Sequence, residues 1–170
     1  MRLDRSEDGL YLSAAVDFEL PAAVEDALLK GVALTFVADA EVLRERWYWY
    51  DKRVAGASRH MRLSYQPLTG RWRVQSAAGP IGVQGATGLG MALSQSHDSL
   101  DEALAQIKRV LRWRIADPAE LEPDVRHMVE FRFRLDTSQL PRPFQIGVAG
   151  QSDWILAASR SQRLQLVGPR

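Results

Sequence analysis

The sequence predicts a mainly β fold of the α+β kind, a single-domain antiparallel β-sandwich of about seven strands with one longer and one short helix. Two observations carry this prediction. Apolar and polar side chains alternate along several segments, as in strands with one buried face. Residues 46–75 also hold three of the five tryptophans and three of the four tyrosines, in short pieces broken by Gly56, Pro67 and Gly70. A single curved sheet packed on both helices is the alternative architecture.

The N-terminal part of the chain predicts a strand, a short helix and a second strand. Asp8 and Gly9 form a turn signal before the first strand. The inward face of that strand carries Leu10, Leu12, Ala14, Val16 and Phe18. Pro21 is expected to open the short helix and Gly31 to end it. The inward face of the second strand carries Val32, Leu34, Phe36, Ala38, Ala40 and Val42.

The middle of the chain predicts a hairpin and then a loop. A strand from about Ser58 to Tyr65 is joined by residues 67–70, PLTG, to a strand with Trp72 and Val74 inward. Residues 77–96 contain five glycines and no charged residue, so we expect a flexible loop there. No Gly-Lys-Ser/Thr follows these glycines, and the segment is therefore not a phosphate-binding loop.

The clearest helix is predicted from Ser99 to about Trp113. Ser99 and Glu102 match a capping box. The apolar stripe of this helix comprises Leu100, Leu104, Ile107 and Leu111. A following strand faces inward with Val129, Phe131, Phe133 and Leu135. The last strand is predicted from Trp154 to about Leu166.

Composition excludes several classes of function. The 170 residues suit one domain, and a 46% apolar content is enough for a sizeable core. The absence of cysteine excludes disulfides, thiolate zinc sites, iron–sulfur clusters and cysteine nucleophiles. A net charge of +1 gives no overall attraction to nucleic acid or anionic membranes. No stretch approaches the roughly 18 consecutive apolar residues of a membrane span.

No catalytic residue, metal ligand or cofactor site is predicted. No Gly-x-Ser-x-Gly motif occurs. The acidic pairs Glu25-Asp26 and Asp101-Glu102 lie in early helical turns, where capping or dipole roles account for them. The histidines lie far apart in the sequence, without carboxylates or second histidines at ligand spacing; they are His60, His97 and His127.

Outward-facing arginines form the first group of candidate binding residues. The predicted strands place outward Arg62, Arg71, Arg73, Arg132 and Arg134. These side chains form either a positive face for carboxylates or phosphates, or a solvated face whose acidic cross-strand partners include Asp17, Glu41 and Glu130.

Two further groups of candidate binding residues lie outside the arginine row. Tyr48 and Tyr50 lie opposite two tryptophans on one strand, which is either buried on both sides or exposes an apolar patch. Residues 140–145, LPRPFQ, are expected to run extended along a sheet edge, since proline cannot donate a ladder hydrogen bond. There Arg142 and Phe144 are candidate contacts for a partner, unless Phe144 fills the core instead.

Several motifs in order resemble a known bacterial family. RWYWYDKRV, RLSY, GRWRVQ, SLDEAL and LDTSQLPRPFQ with a later DW are similar to the domain of unknown function numbered four-three-nine-zero. The resemblance extends from the strand at Gly9 to about Trp154. Members of that family carry a secretory leader before an LYL-like strand, so the resemblance implies a mature segment in the periplasm or cell envelope, with the cytoplasm as the alternative. It implies no activity and no catalytic residues.

We therefore expect a non-enzymatic envelope module that binds a protein or peptide, as an accessory to a membrane sensor or assembly. One alternative is an enzyme acting on an envelope polymer, with carboxylates brought together by folding. Another is a binder of anionic lipid or nucleic acid through the arginine face, although nucleic acid is not favoured. A deep pocket with two carboxylates would favour the enzyme, whereas a shallow aromatic patch or an open strand edge would favour the binding module.

Overall fold

The computed structural model describes residues 1–46, 51–78, 93–140 and 156–164. Within these ranges the protein is mainly β, with nine strands in two antiparallel sheets and two α-helices. The strands are β1 (Arg2–Ser6), β2 (Gly9–Ala15), β3 (Leu34–Arg44), β4 (Lys52–Gln66), β5 (Arg71–Ala77), β6 (Leu93–His97), β7 (Arg109–Ala116), β8 (His127–Asp136) and β9 (Ala157–Leu164). The helices are α1 (Ala22–Leu29) and α2 (Leu100–Lys108).

The two sheets confirm the predicted sandwich. One sheet has the order β1-β2-β7 and the other the order β6-β5-β4-β3-β8-β9. Strand β7 of the small sheet packs across β4 and β3 of the large one, while α2 packs against β5 and β6. The small sheet and the two helices together therefore cover the inner face of the large sheet. The alternative of one curved sheet is not what the chain adopts.

One apolar core lies between these layers. Phe36, Phe131 and Leu104 are buried in the same cluster, as their predicted inward positions require. Phe36 and Phe133 stack on each other and on Phe18, with ring centroids 5.5–5.8 Å apart. Phe18 is only half-buried, so one part of this aromatic cluster reaches the surface.

The predicted long helix is wrong beyond Lys108. Residues from Arg109 onward form β7, which pairs with β2. Val110 and Trp113 are buried in this strand, whereas Leu111, which the helix prediction placed in the apolar stripe, is 67% exposed. The irregular pairing near the positive φ of Arg112 (44°) shifts the alternation by one residue. Burial against the large sheet thus outweighs the local helical pattern.

The predicted loop ends earlier than the sequence indicated. Leu93–His97 is strand β6, so residues 93–96 belong to the large sheet. His97 ties this strand to α2, because its Nε2 lies 2.5 Å from Gln106 Oε1. Residues 79–92 lie outside the described residues, and for them the loop stays a prediction.

Candidate functional site

The predicted binding residues divide between described and undescribed parts of the chain. Tyr48, Tyr50, Arg142 and Phe144 lie outside the described residues, so their roles stay predictions. The structure places Arg71, Arg73, Arg132 and Arg134 on the outer face of the large sheet, but in two separate pairs. Strands β4 and β3 lie between β5 and β8, which puts the pairs about 14 Å apart across the sheet. The register adds about 13 Å along the strands even between Arg73 and Arg134.

Each of these four arginines has an acceptor on its own sheet or beside it. The contacts join Arg71 Nη2 to Asp98 Oδ1 (3.5 Å), Arg73 Nε to Ser94 Oγ (2.7 Å), Arg132 Nη2 to Glu130 Oε2 (2.9 Å) and Arg134 Nη1 to Asp136 Oδ1 (3.6 Å). Exposed pairs of this kind stabilise the fold by well under about 1 kcal/mol each. Carboxylates compensate the positive charge of three of these arginines, whereas Arg73 contacts only a hydroxyl group, and Arg62 forms no ion pair with a described residue. Most of the face therefore carries paired charge, which favours a solvated face over an anion-binding one.

An open cleft of about 500 Å³ lies where α2 approaches the segment before α1. Its apolar lining comes from Phe18, Leu20, Leu100 and Leu104. Because Phe18 also stacks on Phe36 and Phe133, the lining is anchored in the core. The volume is within the range of ligand-binding pockets, roughly 300–1,000 Å³.

Carboxylates surround this apolar lining. Glu19, Glu25 and Asp101 line the cleft and are exposed. No hydrogen bond or ion pair joins any of the three to another described side chain. Lys108 Nζ lies 5.0 Å from the centre of the Phe18 ring and is the one basic group of the lining. Three carboxylates against one ammonium leave the cleft with a formal charge of −2.

The start of α2 explains how the sequence presents one of these carboxylates. Ser99 Oγ accepts a hydrogen bond from the backbone N–H of Glu102 (3.2 Å), and Glu102 Oε2 accepts one from the N–H of Asp98 (3.2 Å). The Ser99 cap is confirmed, but Glu102 accepts from the N–H of Asp98, one residue before the N-cap, and not from that of Ser99 as a regular capping box requires. This arrangement uses the carboxylate of Glu102 and leaves that of neighbouring Asp101 at the cleft.

Helix α1 presents the second carboxylate in a similar way. Pro21 precedes the helix in an extended conformation, and Val24 and Leu28 bury their side chains in the core. Glu25 lies in the first turn, next to the buried stripe, and reaches the cleft. In the sequence, capping or dipole roles account for Glu25 and Asp101, and their meeting at one cleft was not predicted. The sequence feature that could have indicated an acidic site is the presence of acidic residues in the first turns of both helices.

The family comparison agrees with the resemblance seen in the sequence. A family described as Domain of unknown function (DUF4390) matches residues 1–164. The chain belongs to this family. No curated protein and no solved structure matches it significantly.

The chemical groups that the cleft of this DUF4390 domain offers are three carboxylates, one ammonium group and apolar side chains. Its carboxylates are exposed, without the burial by which catalytic acids are usually tuned. No histidine lines it. Among the described residues, no three metal-ligating side chains come close enough to hold a metal ion. Nor does any helix in the described ranges have the length and apolar character needed to cross a membrane.

His127 is the most unusual titratable group of the DUF4390 domain. It is completely buried at the end of the core away from the cleft, beside Arg44 and Leu164 in the sheet register. Neither ring nitrogen has a hydrogen-bond partner among the residues that the structure describes. Burial lowers its pKa, and the backbone of Val125 opposes this in part without reaching hydrogen-bond geometry. The ring does not line the cleft.

Proposed function

We propose that this protein is a non-enzymatic interaction module of the cell envelope that binds a segment of a partner protein in the cleft. The observation that carries the proposal is an apolar lining, anchored in the core, beside carboxylates that have no partner among the described residues. Interfaces of this kind combine an apolar centre with a polar rim. The envelope location rests on the family resemblance.

The cleft supports binding of a segment rather than of a large flat surface. Its volume of about 500 Å³ accommodates a few side chains. Peptide segments commonly gain affinity by placing apolar anchors in such grooves, while polar contacts fix their orientation. A role as an accessory to a membrane sensor or assembly requires only this kind of contact.

Capture from fractionated cells tests the proposal. The purified domain is presented to envelope and cytosolic extracts, alongside Leu100→Asp in the cleft and Ser159→Asp on the exposed strand β9 as matched control. An aspartate at position 100 suits the N-terminus of α2, so the fold should persist while the apolar lining is lost. We expect one stoichiometric partner from the envelope extract, lost with Leu100→Asp and retained with Ser159→Asp.

Two results would contradict the proposal. Retention of the partner by Leu100→Asp would exclude the cleft as the binding site. Capture of a partner from the cytosolic extract alone would contradict the envelope location. Thermal unfolding of both variants shows whether each is folded before capture is compared.

A further inference from the structure

We propose that the segment bound in the cleft carries a lysine or arginine next to a bulky apolar side chain. This inference rests on the proposed function and specifies its ligand class. Three properties of the same cleft support this inference: the pairing state of its carboxylates, its apolar lining and the position of its single ammonium group.

The carboxylates of the cleft differ in their pairing from the two that neighbour the arginines of strand β8. On the outer sheet face, Glu130 and Asp136 form ion pairs with Arg132 and Arg134. At the cleft, Glu19, Glu25 and Asp101 form no ion pair with any described residue. Charge complementarity therefore favours a cationic ligand group at the cleft.

The apolar lining sets the second requirement. Leu20 and Leu100 are only partly buried in the isolated domain and border the half-buried ring of Phe18. An apolar side chain placed there removes hydrocarbon surface from water, at roughly 25 cal/mol per Å². A purely cationic ligand would leave this surface uncovered, and a purely apolar one would leave the carboxylates without partners.

Lys108 shows how an ammonium group is accommodated at this site. Its Nζ lies over the Phe18 ring, 5.0 Å from the centroid, rather than in an ion pair with a described carboxylate. One edge of the lining is thus already occupied by a cation, and the remaining charge is negative. A bare metal ion does not fit, because the three carboxylates do not form a metal-binding group.

Binding of short peptides of defined composition tests this inference. Fluorescence anisotropy compares a peptide of alternating lysine and leucine with one in which glutamate replaces lysine and one in which serine replaces leucine. The proteins are the unmodified chain, Leu100→Asp, the cleft variant Glu25→Gln/Asp101→Asn, and the control Glu7→Gln/Asp26→Asn, which neutralises two exposed carboxylates outside the cleft lining.

We expect the lysine–leucine peptide to bind most tightly, and the cleft variant to weaken it about three- to tenfold at low salt. The control should weaken it by less than about twofold. Equal weakening by both double variants would show a general charge effect and overturn the inference, as would equal binding of the lysine–serine peptide.

The test separates failure of the inference from failure of the proposed function. If the glutamate–leucine peptide binds as tightly as the lysine–leucine peptide, and Leu100→Asp abolishes both, the cleft still binds segments but the cationic requirement is wrong. If Leu100→Asp leaves binding of every peptide unchanged, both proposals fail.

Discussion

His127 is the residue whose chemistry is most constrained by its position. Burial lowers its pKa from the ordinary value of 6.5, since charging an enclosed ring costs free energy. The nearby charges act in opposite directions, with Glu122 raising the pKa and Arg44 and Arg5 lowering it. His127 pairs with Arg44 near the end of β3, whereas Phe36 lies near its start. The length of strand between positions 36 and 44 separates His127 from Phe36 and its aromatic cluster by about 27 Å. It can therefore be altered without touching the cleft.

The lowered pKa of His127 predicts loss of stability in acid. The unfolded chain takes up this proton near pH 6.5, whereas the folded chain does so only at lower pH. The contribution of His127 to the free energy of unfolding is thus fully present above pH 6.5 and is lost as the pH falls below it. His127→Leu should flatten the decline measured by urea unfolding between about pH 7.5 and pH 5.

His60→Gln is the matched comparison for this pH dependence. Burial also lowers the pKa of His60, but its ring is only partly enclosed and its Nε2 lies 3.3 Å from Ser58 Oγ. Replacement of His60 should change the pH dependence of the free energy of unfolding less than His127→Leu does. An unchanged slope in His127→Leu would show that the buried ring is not responsible for acid sensitivity.

Residue burial was the most predictable level of this fold. Strict alternation placed Phe36 and Phe131 inward, and both are buried, because one face of each strand must pack against the second layer. At Leu111 the sequence pattern does not predict burial correctly. It lies seven residues after Leu104, which fits a helical stripe, yet a strand exposes it. Only the pairing of β7 with β2, over a separation of about a hundred residues in the chain, decides between the two patterns.

At the scale of elements, the cap of α2 links stability to the candidate site. Ser99 is the N-cap residue of α2 and lines the cleft. Its Oγ accepts the hydrogen bond from the backbone N–H of Glu102. Ser99→Ala should lower the free energy of unfolding by about 1 kcal/mol, as is typical for loss of an N-cap. Ser159→Ala, on an exposed strand without such a bond in the described structure, should stay within about 0.5 kcal/mol of the unmodified chain.

Denaturant unfolding monitored by circular dichroism measures both substitutions. A loss near zero in Ser99→Ala would mean that the hydrogen bond from the N–H of Asp98 to Glu102 Oε2 suffices to begin the helix. The cap was predictable from the sequence because its residues lie three apart in the chain, and the structure confirms it. The point where α2 ends was not, because a strand takes over at Arg109 without an intervening glycine or proline.

At the scale of the whole molecule, the sandwich follows from the sequence but the cleft does not. The number of alternating segments and the two helices predicted the fold class, although the polar hairpin strand β1, the edge strand β6 and strand β7, predicted in part as helix, were missed. The cleft depends on where two helices distant in sequence meet the segment around Phe18. Glu25 and Asp101 are 76 positions apart (101 − 25), and neither has a local pattern that indicates the other.

The folded structure makes the predicted arginine face a weaker candidate for a binding site. The sequence correctly placed its five members outward, but it could not show that four of them contact an acceptor in the folded protein. Cross-strand and neighbouring partners depend on register, which is a property of the assembled sheet. At the cleft, none of the three carboxylates has a partner among the described residues, and these carboxylates direct the proposed function.

Chemical-shift mapping tests directly whether a cationic, apolar segment binds in the cleft. The isotopically labelled domain is titrated with the lysine–leucine peptide, and backbone amide shifts are followed along the assigned chain. We expect the largest changes in residues 18–25 and 99–108, where the cleft is lined, and little change around Arg132 and Arg134. Changes centred on the outer face of the large sheet, with residues 18–25 and 99–108 unaffected, would contradict this expectation.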